Sequence, residues 1–148
     1  MCARPGNHAL CVSRRAKSIT TEAQRAQSDP LTREIIGAGI EVHRHLGPGL
    51  LESAYRECLC WELQHRGFTV ERERALPLIY KGARVDVGYR IDLIVDERVL
   101  VELKSIERLA TIHTAQVLTY LRLSSLHLGL LMNFNVSRLT DGIVRVML

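Results

Sequence analysis

The chain has 148 residues, of which 47% are hydrophobic, enough to form one domain with a proper core. No apolar run approaches the roughly 18 residues that a membrane-spanning helix needs, so we expect no membrane partner. The formal net charge of +4 lies mainly in residues 1–30, which hold five basic and two acidic side chains. Residues 31–148 hold 15 basic and 14 acidic side chains, so overall charge is weak evidence about the ligand of this part.

The four cysteines do not form a C-x-x-C pair. Cys58 and Cys60 stand two apart in a predicted helix, so they do not face each other. We therefore expect reduced thiols without zinc in a cytoplasmic protein. The pair Arg14-Arg15 is not followed by an apolar stretch, which argues against an export signal.

Residues 1–30 lack apolar periodicity and are predicted to form a basic, disordered extension, while residues 31–148 form the domain. Two helices are predicted at the start of the domain, over 31–46 and 50–65. Gly47-Pro48-Gly49 separates them, and Gly67 ends the second in the position after the cap.

Short runs rich in β-branched and apolar residues follow, and they predict strands. These runs cover 68–73, 76–80, 85–95 and 99–104. Turns at Lys81-Gly82 and Asp96-Glu97 make the middle strands antiparallel neighbours. A third helix over 112–124 then crosses over to a buried strand at 126–134, and 143–148 forms a last strand.

The most informative charged residues lie around the third and fourth of these runs. Because strand side chains alternate, Val101 points to one face and Glu102 and Lys104 to the other. The turn at Asp96-Glu97 brings Asp92 onto the neighbouring strand. Two carboxylates and an ammonium can hold a divalent metal and position water for phosphodiester hydrolysis. The alternative interpretation is an ordinary ion pair on a surface hairpin, against which the apolar flanking residues argue.

Two further elements carry candidate site residues. Glu52 lies in the first turn of the second helix, where the helix dipole stabilises a carboxylate whether or not it has a function. Tyr55 lies three residues on, on the same face, and also fits a core aromatic. On the third helix, His113, Gln116 and Tyr120 share one face. Such a polar stripe is usually solvated, but these residues can also bond phosphates or hold a carboxylate.

The segment Gly49-Leu50-Leu51-Glu52-Ser53-Ala54-Tyr55 resembles the G-x-x-E-x-x-Y signature of the bacterial GxxExxY protein family. The likeness covers about residues 31–148 and leaves residues 1–30 outside it. Its other segments are Ile40-Glu41-Val42-His43-Arg44, Gly88-Tyr89-Arg90-Ile91-Asp92-Leu93, Val101-Glu102-Leu103-Lys104, His113-Thr114-Ala115-Gln116-Val117-Leu118-Thr119-Tyr120 and Leu131-Met132-Asn133-Phe134-Asn135-Val136.

That family is similar to the PD-(D/E)XK nuclease superfamily. The resemblance implies an α/β fold of the restriction-endonuclease-like type, with an α-β-β-β-α-β core and a mixed central sheet flanked by helices. It implies that Asp92 is the aspartate of the motif and that Glu102 and Lys104 are its (D/E)-x-K pair. Ile91 replaces the proline that names the motif, at a position that binds no metal.

The resemblance also implies a nuclease that uses Mg²⁺ or Mn²⁺. Asp92, Glu102 and Glu52 are then the metal ligands, and Lys104 assists the nucleophile. The supporting or substrate-binding residues are Gln116 and Tyr120, which match a Q-x-x-x-Y element, together with His113 and Tyr55. Nucleic acid, with DNA favoured, is the expected partner, and a homo-oligomer would enlarge the binding surface. The alternative is a non-catalytic nucleic-acid-binding or assembly module that retains the nuclease fold.

Overall fold

The computed structural model describes residues 29–148, which form three α-helices and one five-stranded sheet. The helices are α1 (Pro30–Leu46), α2 (Glu52–His65) and α3 (Thr111–Ser124), and the strands are β1 (Val70–Tyr80), β2 (Ala83–Val95), β3 (Val99–Lys104), β4 (Leu128–Asn133) and β5 (Ile143–Met147). A short 3₁₀ helix, Leu139–Gly142, precedes β5. The basic extension predicted for residues 1–30 lies outside the described residues, except for Asp29 and Pro30.

The sheet is mixed, with the order β1-β2-β3-β4-β5. β1, β2 and β3 form an antiparallel meander, β3 pairs with β4 in parallel, and β5 is antiparallel to β4. Parallel neighbours require a crossover connection, and α3 provides it. The predicted α/β class, with a mixed sheet flanked by helices and of the restriction-endonuclease-like type, is confirmed.

The helix boundaries follow from their local residues. The Asp29 carboxylate accepts a hydrogen bond from the Leu31 N–H at 2.8 Å, and Pro30 occupies the first helical position, where no donor is needed. The predicted break after α1 contains Gly47, whose φ of 66° lies in the left-handed region. Gly67, with φ 91°, follows the end of α2 as predicted.

One strand prediction is wrong. The runs at 68–73 and 76–80 belong to a single strand, Val70–Tyr80, which pairs with β2 along its length. Arg74 and Ala75, which stand between the two runs, are tolerated because this edge strand is largely exposed. Pro77, inside the second predicted run, lies at a shift of register between Leu76 and Leu78, as proline does on edge strands.

β3 lies in the middle of the sheet, and its two faces pack against different helices. Val99, Val101 and Leu103 belong to the buried cluster that includes α1 and α2, whereas Leu100 packs with residues of α3. The alternation predicted for this strand is therefore confirmed. Glu102, two residues after Leu100, ends the otherwise apolar row on the α3 side.

The structure also bears on two expectations drawn from composition, which concern membrane-spanning helices and the cysteines. Within residues 29–148, no helix combines the length and the apolar character needed to cross a membrane. Within residues 29–148, Cys58 and Cys60 form no disulfide, and burial raises the pKa of the Cys60 thiol. Cys2 and Cys11 lie outside the described residues.

Candidate active site at the end of the central strand

The loop between α1 and α2 is fastened to the end of β3. The Tyr55 hydroxyl donates to the Gly47 carbonyl at 2.5 Å and accepts from the Leu50 N–H at 3.1 Å. The Ser105 hydroxyl, directly after β3, donates to the Leu50 carbonyl at 2.6 Å. These bonds hold the start of α2, and with it Glu52, beside the charged end of β3.

Tyr55 contributes to the site through this loop. Its ring is fully buried and stacks on Phe134, with 4.5 Å between the ring centroids. Its hydroxyl is used by the two loop hydrogen bonds. Tyr55 therefore positions Glu52 and is itself part of the core.

Asp92 lies where β2 separates from β3. The last pair of the ladder joins Leu93 to Val101. Two residues beyond Val101, the Leu103 N–H donates to Asp92 Oδ2 at 2.9 Å. The Asp92 carboxylate thus accepts a backbone hydrogen bond at the point where the regular β2–β3 pairing ends. This bond holds Asp92 against β3.

The other Asp92 oxygen pairs with Arg56, a residue that the sequence analysis did not single out. Arg56 Nη1 lies 3.2 Å from Asp92 Oδ1, and the guanidinium is also 3.4 Å from Glu73 and 3.6 Å from Glu57. Burial acts to lower the pKa of Arg56, but the bond to Asp92 and the three carboxylates outweigh it and raise the pKa. Arg56 stands four residues after Glu52 on α2, and that spacing was the available signal.

Glu102 is buried, at 4% exposure, and uses only one of its oxygens. Its Oε1 accepts from Lys104 Nζ at 3.0 Å, while Oε2 is buried without a hydrogen-bond partner among residues 29–148. Burial and the charge of Asp92 raise the pKa of Glu102 to about 7, against the opposing effect of Lys104. The charge of Glu52 adds to the rise, so Glu52 lies within electrostatic range.

Lys104 remains a cation in this environment. Burial acts to lower the pKa of its ammonium, but the charge and hydrogen bond of Glu102 outweigh burial. Glu52 and Asp92 add to this effect, and the net result is a raised pKa. The structure therefore brings three carboxylates and a protonated lysine into one electrostatic group.

From α3, Tyr120 lies within electrostatic range of this group, and Gln116 is linked to it through Tyr120. Gln116 Nε2 donates to the Tyr120 hydroxyl at 2.8 Å. Burial raises the pKa of Tyr120, and the charge of Glu102 raises it further, against the bond from Gln116. His113 Nδ1 instead accepts from the Ala110 N–H at 2.9 Å, which closes the first turn of α3.

Residues 29–146 match the PD-(D/E)XK nuclease superfamily. The chain belongs to this superfamily. The match confirms the superfamily predicted from the motifs, and it does not test the narrower GxxExxY family. Comparison with curated proteins and with solved structures finds no match. Membership of the superfamily indicates a nuclease-type function that acts on nucleic acid, and nucleases of this superfamily typically use divalent metals.

The site of this superfamily member can be tested for its fit to such a metal. No three His, Cys, Asp or Glu side chains of residues 29–148 form a group that could hold an ion by themselves. The buried, unpartnered Oε2 of Glu102 nevertheless suits a cation, because a carboxylate oxygen can only accept. Magnesium is commonly bound by one or two carboxylates and keeps several waters. Asp92 and Glu102 therefore fit a magnesium ion whose remaining ligands are largely water.

Proposed function

We propose that this chain is a Mg²⁺-dependent nuclease that hydrolyses phosphodiester bonds, with Asp92, Glu102 and Lys104 as its catalytic centre. The observation that carries the proposal is the Glu102 carboxylate, which binds an ammonium with one oxygen and buries the other without a donor. An unpaired buried acceptor costs about 1–3 kcal/mol. In a purely structural ion pair this cost would not be recovered. In a metal site the bound cation would satisfy the unpaired oxygen.

In this proposal Asp92 and Glu102 hold the ion, helped by a backbone carbonyl such as that of Leu103. Glu52, which the sequence predicted as a third ligand, does not complete a three-carboxylate metal group among residues 29–148 and contacts the ion through water. A bound Mg²⁺ supplies Lewis acidity, which lowers the pKa of water and offsets charge on the phosphate. The loop bonds of Tyr55 hold the start of α2, and with it Glu52, beside this centre.

Lys104 and Tyr120 act as donors in the same proposal. Since the pKa of Lys104 is raised, its ammonium stays protonated near neutral pH. This favours orienting the attacking water over deprotonating it. The pKa of Tyr120 is also raised, so the phenol keeps its proton and can donate to a phosphate oxygen. The bond from Gln116 fixes the direction of that phenol.

A cleavage assay tests the proposal. Mixed DNA and RNA, single-stranded and duplex, are incubated with Mg²⁺ or Mn²⁺ and either the wild type or Asp92→Asn. Asparagine keeps an acceptor for the Leu103 N–H and removes the charge, so the fold is retained while cleavage is lost. Asp141→Asn, which removes an exposed carboxylate paired with Arg138, is the matched control and should cleave like the wild type.

The same assay decides between the two functions. If the wild type cleaves none of the substrates with either metal, and neither metal raises its melting temperature, the non-catalytic binding or assembly module replaces the nuclease. The preference for DNA stays a prediction that the substrate panel tests. A homo-oligomer also stays a prediction, which sedimentation tests.

A further inference from the structure

The β1–β2 hairpin projects beyond the rest of the sheet. β1 and β2 have 11 and 13 residues, whereas β3 has six and pairs with β2 only from Leu93 to Val95. Every residue from 79 to 90 is exposed, and we call this segment the arm. At about 3.3 Å per residue, the part of β2 within the arm is roughly 26 Å long.

The arm exposes aromatic and aliphatic side chains. Tyr80 is 62% exposed and Tyr89 44%, and Ile79, Val85 and Val87 are also open to solvent. Isolated two-stranded hairpins are marginally stable in water, and contiguous exposed apolar side chains mark interaction surfaces. These properties indicate that the arm has a binding partner.

The charge of the arm favours an anionic partner. The arm has three basic residues, Lys81, Arg84 and Arg90, and one acidic residue, Asp86, which gives a net charge of +2. Residues 29–148 together hold 15 basic and 15 acidic side chains. Lys81 and Arg90 have no ion-pair partner among the described residues. Arg84 has only Asp86, at 3.8 Å and in solvent. These cations are therefore available to an external anion.

The arm leads directly to the candidate active site. The ring centroid of Tyr89 lies 6.2 Å from that of Tyr120, whose phenol is in electrostatic range of Glu102. Arg90 stands two residues before Asp92 on the same strand. A polymer that lies along the arm therefore reaches the charged end of β3.

We infer that the arm binds single-stranded nucleic acid and guides it to the site, with Tyr80 and Tyr89 stacking on bases and the three arm cations contacting phosphates. This inference rests on the proposed function. Base stacking on aromatic side chains combined with a cationic track is how proteins hold single strands. A duplex offers its phosphates to the cations but no free base faces to the rings.

A second copy of the chain is the competing occupant, since it would cover the same apolar side chains. In a symmetric contact the same surface meets itself, so the arm of one copy, with a net charge of +2, would face an arm of the same charge. Only Asp86 would offset that repulsion. The charge of the arm therefore favours nucleic acid over a second copy.

Fluorescence anisotropy with a labelled single-stranded oligonucleotide, in EDTA so that no cleavage occurs, tests the inference. The double variant Lys81→Glu/Arg84→Glu should bind at least about tenfold more weakly, and its salt slope should fall by roughly 1.4, because two phosphate contacts are lost. Tyr80→Ala should weaken binding about fivefold or more without changing the salt slope.

The control reverses two exposed cations away from the arm, Arg122→Glu/Arg145→Glu. Circular dichroism melts confirm that each variant is folded. Equal losses in the arm and control variants overturn the inference, and so does tighter binding of the matching duplex than of the strand. A wild-type dimer that the arm variants dissociate, with their strand binding unchanged, assigns the arm to self-association and also overturns it.

The arm inference and the nuclease proposal fail in different ways. Binding is measured without metal and cleavage with metal. If the arm variants bind normally while the wild type cleaves, the arm inference alone is wrong. If the wild type binds strands through the arm but never cleaves, the nuclease proposal alone is wrong.

Discussion

The two ends of the β1–β2 hairpin differ in what surrounds their charged side chains. At the inner end, Asp92 is 13% exposed, and both of its oxygens have hydrogen-bond donors. On the arm, Lys81 and Arg90 are exposed and form no ion pair with a described residue. Charges interact strongly where water is excluded and weakly where it is not. One hairpin therefore combines an end suited to chemistry with an end suited to recruiting a charged polymer.

This difference determines how each end should respond to substitution. Changes at the inner end should alter cleavage, metal affinity and the pH dependence of stability. Changes on the arm should alter binding of nucleic acid and little else. The following predictions run from the largest expected effect to the smallest.

Lys104→Met should reduce cleavage by about 10²–10³-fold, because removing one preorganised donor at a reacting centre costs that much. The substitution also removes the one hydrogen-bond partner that Glu102 has among residues 29–148. The variant should therefore lose stability near pH 8 and not near pH 5, where Glu102 is protonated. Initial rates with Mg²⁺ and urea melts at both pH values measure this. Arg145→Met removes an exposed cation from β5 and is the control. A Lys104→Met rate equal to that of the control contradicts the assignment.

Glu102 should make the wild type less stable as the pH rises. Its folded pKa of about 7 lies above the ordinary value of 4.5, so the folded state holds the extra proton between these pH values. The stability due to this group is present below about pH 4.5 and is lost as the pH rises through 7. Between about pH 5 and pH 8 the loss is roughly 2 kcal/mol.

Glu102→Gln, a neutral side chain of the same shape, should lack this loss and be the more stable protein at pH 8. Urea denaturation of both proteins at the two pH values isolates the contribution, because all other titrating groups are shared. If the free energy of unfolding changes equally with pH in the wild type and the variant, Glu102 has the same pKa in the folded and unfolded states and the prediction is wrong. The same ionisation should make Mn²⁺ bind more tightly as the pH rises towards 7, since the metal requires the carboxylate.

The strand that carries Glu102 could be predicted because its information is local. Alternation along Val99–Lys104 places Glu102 and Lys104 on the face opposite Val101, and the structure confirms this alternation. The division of β1 was wrong because Arg74 and Ala75 separate the two predicted runs in the sequence, whereas an edge strand that is largely exposed needs no continuous apolar row. The crossover through α3 was predictable from the order of the elements.

The pairing of Arg56 with Asp92 could not be predicted in the same way. The two residues are separated by 36 positions, and an arginine within a helix is most often solvated. Their contact depends on where β2 leaves β3. His113 shows the opposite case, since its bond to the Ala110 N–H is local to the first turn of α3. The shared face of His113 and Gln116 did not indicate that Gln116 bonds Tyr120 while His113 bonds the backbone of its own helix.

Arg56→Met should make Mn²⁺ bind about tenfold more tightly, equivalent to about 1.4 kcal/mol. The guanidinium lies 3.2 Å from Asp92 Oδ1 and would compete for that oxygen with the metal ion of the proposed nuclease. Isothermal titration calorimetry with Mn²⁺ measures the affinity directly, without any cleavage. The metal-free variant should be less stable, because Asp92, Glu57 and Glu73 lose their shared cation.

Arg72→Met is the matched control, since Arg72 also pairs with Glu57 but is half exposed and makes no contact with Asp92. Its affinity for Mn²⁺ should equal that of the wild type. Weaker metal binding in Arg56→Met would contradict the prediction and would mean that Arg56 holds Asp92 in the ligand position instead of competing for it.

Val87→Ser on the arm should change the free energy of unfolding by less than about 0.5 kcal/mol, as expected for a largely exposed side chain. The same change at Val101, fully buried in β3, should cost about 2–4 kcal/mol, because it creates a cavity and buries a hydroxyl. Urea denaturation followed by circular dichroism compares the two variants. If Val87→Ser is as costly as Val101→Ser and its effect grows with protein concentration, the arm is covered by a second copy in solution. The contrast between a buried inner end and an exposed arm would then hold for a single chain and not for the assembled protein.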